Sequence, residues 1–386
     1  MANAYFDHNS TTAIRPEVLN VMLPFMQSQH GNPTSRHIFG RNARDAVEDA
    51  RAQVAKAIGV QTSQVVFTSG GTEANNFAVH GITAGLTRNG FEKSQILTSA
   101  IEHPCVGKPA QALQAHGWQA KSIPVDANCR VKMDALEALL DAPSSLVSVM
   151  LANNETGALQ DVQNIVALAR AKKVYVHTDA VQALGKVAVD FNELGVQAMT
   201  ISSHKIGGPQ GAGALVLDKR VDIEPLLYGG GQERGLRSGT ENVAAIVGFG
   251  TACELATQHL QEFQQTTTAL QAKLDAALRA MDATIFAENA NRLTNTTFFA
   301  FPNIEGETLV TALDKAGFAV ASGSACSSNS GEPSHVLLAM GVSEDLARGA
   351  VRVSFGASNT AQEVQGFLTV LQQEVARLKQ YSAIAA

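Results

Sequence analysis

Between about residues 60 and 220 one unit recurs along the chain: a short apolar run of β-type residues, then a stretch with helical spacing. VVFTS (65–69) runs into SGGTEANNFAVHGI, a turn and a helix start. QILTSA (95–100) ends at IEHP, and LVSVMLA (146–152) ends at NNETG. DVQNIVALARAKK (161–173) reads as a helix and VYVHTDA (174–180) as the strand after it, while AMTISSHK (198–205) and GALVLDK (213–219) complete the set. Strands alternating with helices predict an α/β layer with a mostly parallel sheet. In such sheets ligands gather beyond the carboxyl ends of the strands. The residues with chemistry to offer fall there: Gly71, Thr72, His103, Asn154, Asp179 and Lys205.

The rest of the chain is organised differently. One long helix is expected over roughly 240–281, then strands at TNTTFFAF (294–301) and GAVRVSFG (349–356). The last helix carries its own start signal, because Thr360 and Glu363 stand at capping-box spacing. Val364, Phe367, Leu368, Leu371, Val375 and Leu378 then make one apolar stripe. This predicts a second, smaller α+β domain, with no internal repeat and no low-complexity linker.

Composition enters as a set of exclusions. With 45% hydrophobic and 17% charged residues the chain is globular rather than disordered. A net charge of −6 argues against broad binding to nucleic acid or to an anionic membrane. No apolar run reaches the roughly 18–20 residues that span a bilayer. MANAYFDHNSTT lacks the basic and apolar regions of a signal peptide, so a cytoplasmic protein is expected. Cys105, Cys129, Cys253 and Cys326 are too few and too scattered for a disulfide framework, none forms a CxxC pair, and no metal centre is expected. Cys253 reads as filler in an apolar, helix-like run. Cys326, in SGSACSSNSG (322–331), has no apolar periodicity to bury it.

Each strand-end residue has a plain reading and a chemical one. Gly71 and Thr72, in SGGTE, form a tight turn or cradle a phosphate at a helix N-terminus; the stretch is neither a Walker loop nor a GxGxxG. Asp179 caps a helix or keeps a pyridine nitrogen protonated. Lys205 is a solvated charge or a partly desolvated amine able to form a Schiff base. His103 is a capped loop histidine or a flat ring stacked on an aromatic cofactor. Together, the four chemical readings describe a pyridoxal-phosphate site of the large aminotransferase fold.

Longer motifs narrow this further: DHNSTT (7–12), GNPTSRH (31–37), FTSGGTEANN (67–76), EHP (102–104), NNETG (153–157), HTDAVQALGK (177–186), SSHKIGGPQGAGAL (202–215), GGGQERGLRSGT (229–240) and SGSACSS (322–328). On these stretches, spread over nearly the whole length, the chain resembles the cysteine desulfurases, in the subgroup of the nitrogen-fixation and housekeeping iron–sulfur enzymes. The resemblance implies the fold-type-I architecture: a large domain over 15–255 with a mostly parallel seven-stranded sheet. Residues 1–14 and 256–386 would form the small domain, carrying a loop at about 321–334.

The resemblance also implies roles. Lys205 would carry pyridoxal phosphate and take the substrate α-proton. His103 would stack on the ring and help with proton transfer, Asp179 would hold the ring nitrogen, and Gln182 the phenolic oxygen. Gly71, Thr72, Ser202 and His204 would bind the phosphate, joined by Thr240 from the other subunit of a homodimer. Asn154 and Arg352 would hold the substrate carboxylate, the arginine through its planar fork.

L-cysteine would leave as L-alanine, and its sulfur as a persulfide on Cys326, handed on to an acceptor such as an iron–sulfur scaffold protein. A glycine–serine segment suits a thiol that must enter the site and swing out. Only the thiolate is competent, and His103 is the nearest candidate to assist its formation. Two departures stand out. Cys105 occupies a position where a small residue is expected, and the end of the chain at KQYSAIAA leaves scaffold docking open. The alternatives are a selenocysteine lyase, another class-V aminotransferase, or a non-catalytic sulfur carrier; Lys205, Asp179 and His103 speak against the last.

Overall fold

The computed structural model describes residues 4–323 and 332–385, so Cys326 and much of the expected 321–334 loop lie outside the described residues. Seven strands form the large sheet in the order Val65–Thr68, Gly213–Leu217, Ala198–Ser202, Tyr175–Asp179, Ser144–Ser148, Gln95–Ser99 and Gln119–Ile123. The last five run parallel to one another. Gly213–Leu217 opposes both of its neighbours. The sheet is therefore mostly parallel, as expected.

Two details differ from the sequence reading. LVSVMLA is not one strand: pairing covers Ser144–Ser148, and Val149–Ala152 leave the ladder while staying buried. Their amides are still satisfied, Val149 N–H by His177 O at 3.1 Å and Leu151 N–H by Asp179 O at 2.9 Å. Burial, not pairing, keeps that run apolar. The seventh strand, Gln119–Ile123, is an edge strand whose Gln119, Lys121 and Ser122 are exposed, so no apolar run announces it.

The expected helix over 240–281 is two helices, Val243–Gln258 and Leu260–Ala280, parted at His259. The break has a reason. Ile246, Phe249 and Cys253 pack in the core of the large sheet, whereas Leu270, Leu274 and Leu278 pack in a second core. Where Val243–Gln258 crosses Ile38–Ala57, a Cβ on Gly250 would stand 2.8 Å from Ala50 Cα, so only glycine permits the approach.

The second core lies under a four-stranded antiparallel sheet ordered Ala321–Ser322, Val351–Ser354, Thr296–Ala300, Thr284–Ile285. Helix Ala361–Ala385 starts with the expected capping box: Thr360 N–H donates to Glu363 Oε2 at 2.7 Å, and Glu363 N–H to Thr360 Oγ1 at 3.2 Å. Its stripe from Val364 to Val375 is buried, with Leu378 at the margin. The first strand, Ala4–Tyr5, pairs with Phe318–Ala319. Phe6 anchors it, its ring 5.4–6.1 Å from those of Phe318, Phe355 and Phe367. From there the chain runs to the strand ends of the large sheet, where Thr12 N–H bonds His204 O at 3.1 Å. Among the described residues no helix is long and apolar enough to cross a membrane.

Candidate active site

A cavity of ≈ 460 Å³ opens beyond the carboxyl ends of the strands. Helix Gly71–Arg88 points its N-terminus at one end of it. Gly70 enters that helix at φ 148°, a conformation that favours glycine. A Cβ on Gly71 would lie 3.1 Å from Val181 Cγ2 and 3.6 Å from Ser202 Cβ, so the helix start sits against the adjoining strand ends. First-turn N–H groups have no acceptor within their own helix. Beside them Ser202 Oγ is buried without a partner among the described residues, and Thr72 and His204 complete the lip. Burial and the Lys205 charge push the His204 imidazole down to about 4. His204 therefore offers hydrogen bonds to an anion, not a charge.

Asp179 ends the strand Tyr175–Asp179 and is buried. Its Oδ1 accepts from Val181 N–H at 2.9 Å and its Oδ2 from Asn75 Nδ2 at 2.7 Å. Burial pushes this carboxyl up, against the pull of those two bonds and of His103 and Lys205. His103 caps helix Pro104–Ala112: its Nδ1 accepts from Cys105 N–H at 3.3 Å and lies 2.8 Å from Cys105 Sγ. It lines the cavity as well, so its plain and chemical readings coexist. Burial lowers its pKa, opposed by Asp179 and helped by Lys205 and His335.

Lys205 follows the strand Ala198–Ser202, and its Nζ donates to the main-chain oxygens of Asn9, at 2.7 Å, and Ser10. Asn9 O also accepts from Gln182 Nε2 at 2.8 Å, and Asn9 Oδ1 from Lys186 Nζ at 2.8 Å. Lys186 bonds Gln182 Oε1 in turn at 2.6 Å, which fixes that amide. Asn9, Ser10, Asn75 and Lys186 are site residues that the sequence reading did not assign. Asn9, Ser10 and Lys186 lie inside the quoted DHNSTT and HTDAVQALGK motifs, and Asn75 inside FTSGGTEANN, which was the available signal.

Arg352 reaches the cavity from the strand Val351–Ser354. Its Nη2 donates to Asp7 Oδ1 at 2.7 Å and Ser10 Oγ at 2.8 Å, and its Nη1 to Asn154 O at 3.0 Å. Its Nε is buried without a partner among the described residues. Two N–H bonds of the guanidinium, one on Nε and one on Nη1, remain for a ligand. Asn154 lines the same cavity. Thr240 is exposed and does not line it.

Cys326 lies outside the described residues, but their edges next to it stand at the site. Ala321 pairs with Arg352, Ser334 Oγ donates to Glu155 Oε2, and His335 Nε2 donates to Glu102 O at 3.0 Å. Burial pushes the thiols of Cys105 and Cys129 up to about 12, and that of Cys253 higher still. None of these three is a thiolate near neutral pH.

A ring-and-phosphate ligand fits this donor set. The orphaned Ser202 hydroxyl and the helix N-terminus suit a phosphate. Asp179 suits a protonated ring nitrogen, and Lys205 lies at the same cavity.

Comparison with known proteins agrees. Residues 4–367 match the aminotransferase class-V family. The cysteine desulfurase IscS of Dictyoglomus turgidum is 41% identical over 380 residues, covering 98% of this chain and 96% of that one. A solved NifS-like protein superposes with a TM-score of 0.91 at 38% identity, over 97% of this chain and 99% of its own. A solved SspA in complex with cysteine gives a TM-score of 0.80 at 29% identity, over 92% and 99%.

Proposed function

The chain belongs to the class-V aminotransferase family, as a pyridoxal-phosphate-dependent cysteine desulfurase, and on that premise we propose how its residues divide the work. The observation that carries the assignment is the convergence of Lys205, Asp179, His103 and Arg352 on one cavity. Gly71, Thr72, Ser202 and His204 hold the phosphate. Asp179 holds the ring nitrogen, His103 the ring face, and Gln182 the phenolic oxygen. When bound, the cofactor supplies an electron sink for the substrate carbon.

Arg352 and Asn154 orient the L-cysteine carboxylate, and Lys205 Nζ takes the α-proton and returns one to the product. Cys326, as thiolate, takes the substrate sulfur: the substrate C–S bond breaks, an S–S bond forms, and L-alanine leaves. In sum, L-cysteine and one protein thiol become L-alanine and one protein persulfide, so atoms and electrons balance without a further oxidant. SspA, whose solved structure holds cysteine, supports that substrate here.

Residues 15–255 form the cofactor domain and 1–14 with 256–386 the small domain, a division supported by the separate core around Phe6 and Phe367. Two copies associate, with Thr240 of each completing the other's phosphate site. Exposed Ile38, Phe39, Leu227 and Tyr228 supply apolar surface for such a contact. The enzyme works in the cytoplasm and hands its sulfur to an iron–sulfur scaffold or a comparable acceptor.

The test is incubation of the purified protein with L-cysteine and a thiol reductant, with alanine and released sulfide measured together. Equal amounts of the two are expected. Amino-group transfer to a keto acid without alanine, or turnover confined to selenocysteine, would replace this reading with one of its relatives.

A further inference from the structure

Cys105 stands in the first turn of helix Pro104–Ala112, directly after Pro104, and its thiol is engaged on two sides. Asn75 Nδ2 carries two hydrogens: one goes to Asp179 Oδ2 at 2.7 Å, the other to Cys105 Sγ at 3.1 Å. Turning that amide over would set its oxygen against the Asp179 carboxylate, so the direction is fixed. On the other side, Cys105 Sγ lies 2.8 Å from His103 Nδ1. That nitrogen already faces Cys105 N–H at 3.3 Å, a donor whose direction the backbone sets. A ring nitrogen that receives a backbone N–H must present its lone pair. The thiol proton then points at the same lone pair, and burial keeps that proton in place.

We propose that Cys105 is a positioning residue for the desulfurase reaction, fixing His103 as the Nε2–H tautomer through a one-way chain from Asn75 to Cys105 to His103. The inference rests on the reading of His103 as part of the catalytic site. His103 Nε2 meets no hydrogen-bonding partner among the described residues, and the residue lines the cavity. A neutral His103 thus presents a donor to the ligand, not a base. A second proton would have to enter at Nδ1, against the fixed N–H of Cys105. His103 therefore acts by donating at Nε2, and Lys205 is left as the group that accepts the substrate proton. A donor at Nε2 does not suit the expectation that His103 assists formation of the attacking thiolate by accepting its proton.

Nitrogen-15 NMR of histidine-labelled holoenzyme tests the proposal, with His103→Gln used to assign the signals. The parent should show Nδ1 unprotonated and Nε2 protonated. Cys105→Ser, which keeps a hydroxyl donor, should preserve that pattern. Cys105→Ala keeps the backbone N–H, whose 3.3 Å contact is long and holds the ring weakly by itself. Part of the population should therefore move to the Nδ1–H tautomer, and the His103 titration midpoint should rise. Asp179, Lys205 and His335 also act on His103 and remain unchanged in each variant.

In turnover, Cys105→Ala should lower kcat about 3- to 10-fold, the loss of one hydrogen bond, with KM for cysteine moved less than about twofold; Cys105→Ser should recover the rate. A parent with Nδ1 protonated overturns the proposal outright. So does a Cys105→Ala protein whose tautomer and titration match the parent. If the alanine variant does not fold, the parent and serine spectra decide between the same two outcomes. Alanine formation by the parent is a separate readout, so failure of the desulfurase reading would show there and leave the tautomer result standing.

Discussion

Lys186 and Lys205 are tied to the two oxygens of one residue: Lys186 Nζ bonds Asn9 Oδ1 at 2.8 Å, and Lys205 Nζ bonds Asn9 O at 2.7 Å. Among the described residues, both hydrogen-bond partners of Lys186 Nζ are neutral amide oxygens, those of Asn9 and Gln182. Burial, with Lys205 and Arg352 nearby, holds the Lys186 pKa well below its ordinary value. Asn9 is the hub, since its Nδ2 also donates to Thr296 Oγ1 at 2.9 Å. Asn9→Ala should cost about 2–3 kcal/mol, because it leaves a buried amine and a buried hydroxyl short of partners. A urea midpoint equal to the parent's would mean that water replaces the amide at no cost.

Lys205→Ala removes the amine that ties the cofactor to the chain. The purified variant should lose the yellow colour of the parent on dialysis and form no alanine. Alanine at the parental rate would mean that another group takes the α-proton.

Arg352→Ala should weaken cysteine binding about 10- to 150-fold, the equivalent of roughly 1.5–3 kcal/mol for charged hydrogen bonds. The readout is a spectral titration with L-cysteine. Arg352→Lys separates two effects, because a lysine keeps a charge beside Asp7 but has no planar fork. Full recovery of affinity by lysine would show that charge alone orients the carboxylate.

Glu102 makes a pH prediction. Burial pushes its carboxyl up to about 8, although Ser99 Oγ and Met150 N–H, the latter at 2.7 Å, both donate to Oε1. The folded pKa exceeds the unfolded value, so the folded state holds the extra proton. The stabilisation is fully present below the unfolded pKa near 4.5 and is lost as pH rises through about 8. Glu102→Gln imitates the protonated acid. Its unfolding free energy should fall less than the parent's between pH 5 and 8. Parallel pH profiles of the two proteins would mean that Glu102 is ionised at neutral pH.

Cys326→Ala separates the desulfurase from every other class-V chemistry. The variant should keep the cofactor and respond spectrally to L-cysteine, yet form almost no alanine and gain no sulfur by intact mass. Cys129→Ala and Cys253→Ala should turn over like the parent, because both thiols are buried in the core. Sulfur found on Cys105 in the parent would move the nucleophile to the side of His103.

Much of this architecture could be read from residue order. The apolar runs ending at Asp179 and Lys205 are strands because their side chains are buried on both faces, and burial writes itself into sequence as continuous apolar residues. Thr360 and Glu363 announced a helix for an equally local reason, since the cap closes within three residues. Edge strand Gln119–Ile123 was silent because most of its side chains meet water. The break at His259 was silent because it depends on which of two cores each flanking helix serves, and no local signal records that. At the site, Lys205, Asp179 and His103 stood out by their positions after strands. Asn9, Asn75 and Lys186 did not, because an amide or an amine becomes a site residue only through partners far along the chain.

That distance has a consequence for when the enzyme comes into being. Asp7 meets Arg352 and Asn9 meets Ser354, each pair 345 residues apart. Chains emerge from the ribosome at about 5–20 residues per second, so the N-terminal segment waits many seconds for the strand that receives it. Until Val351–Ser354 appears, Arg352 is missing from the cavity wall and the Asn9 amide has no serine hydroxyl to hold it. A nascent chain can therefore assemble the large sheet well before it has a closed pocket. Activity should begin late and abruptly, at the end of synthesis, and a chain truncated before residue 351 should fold in part without acquiring a complete site.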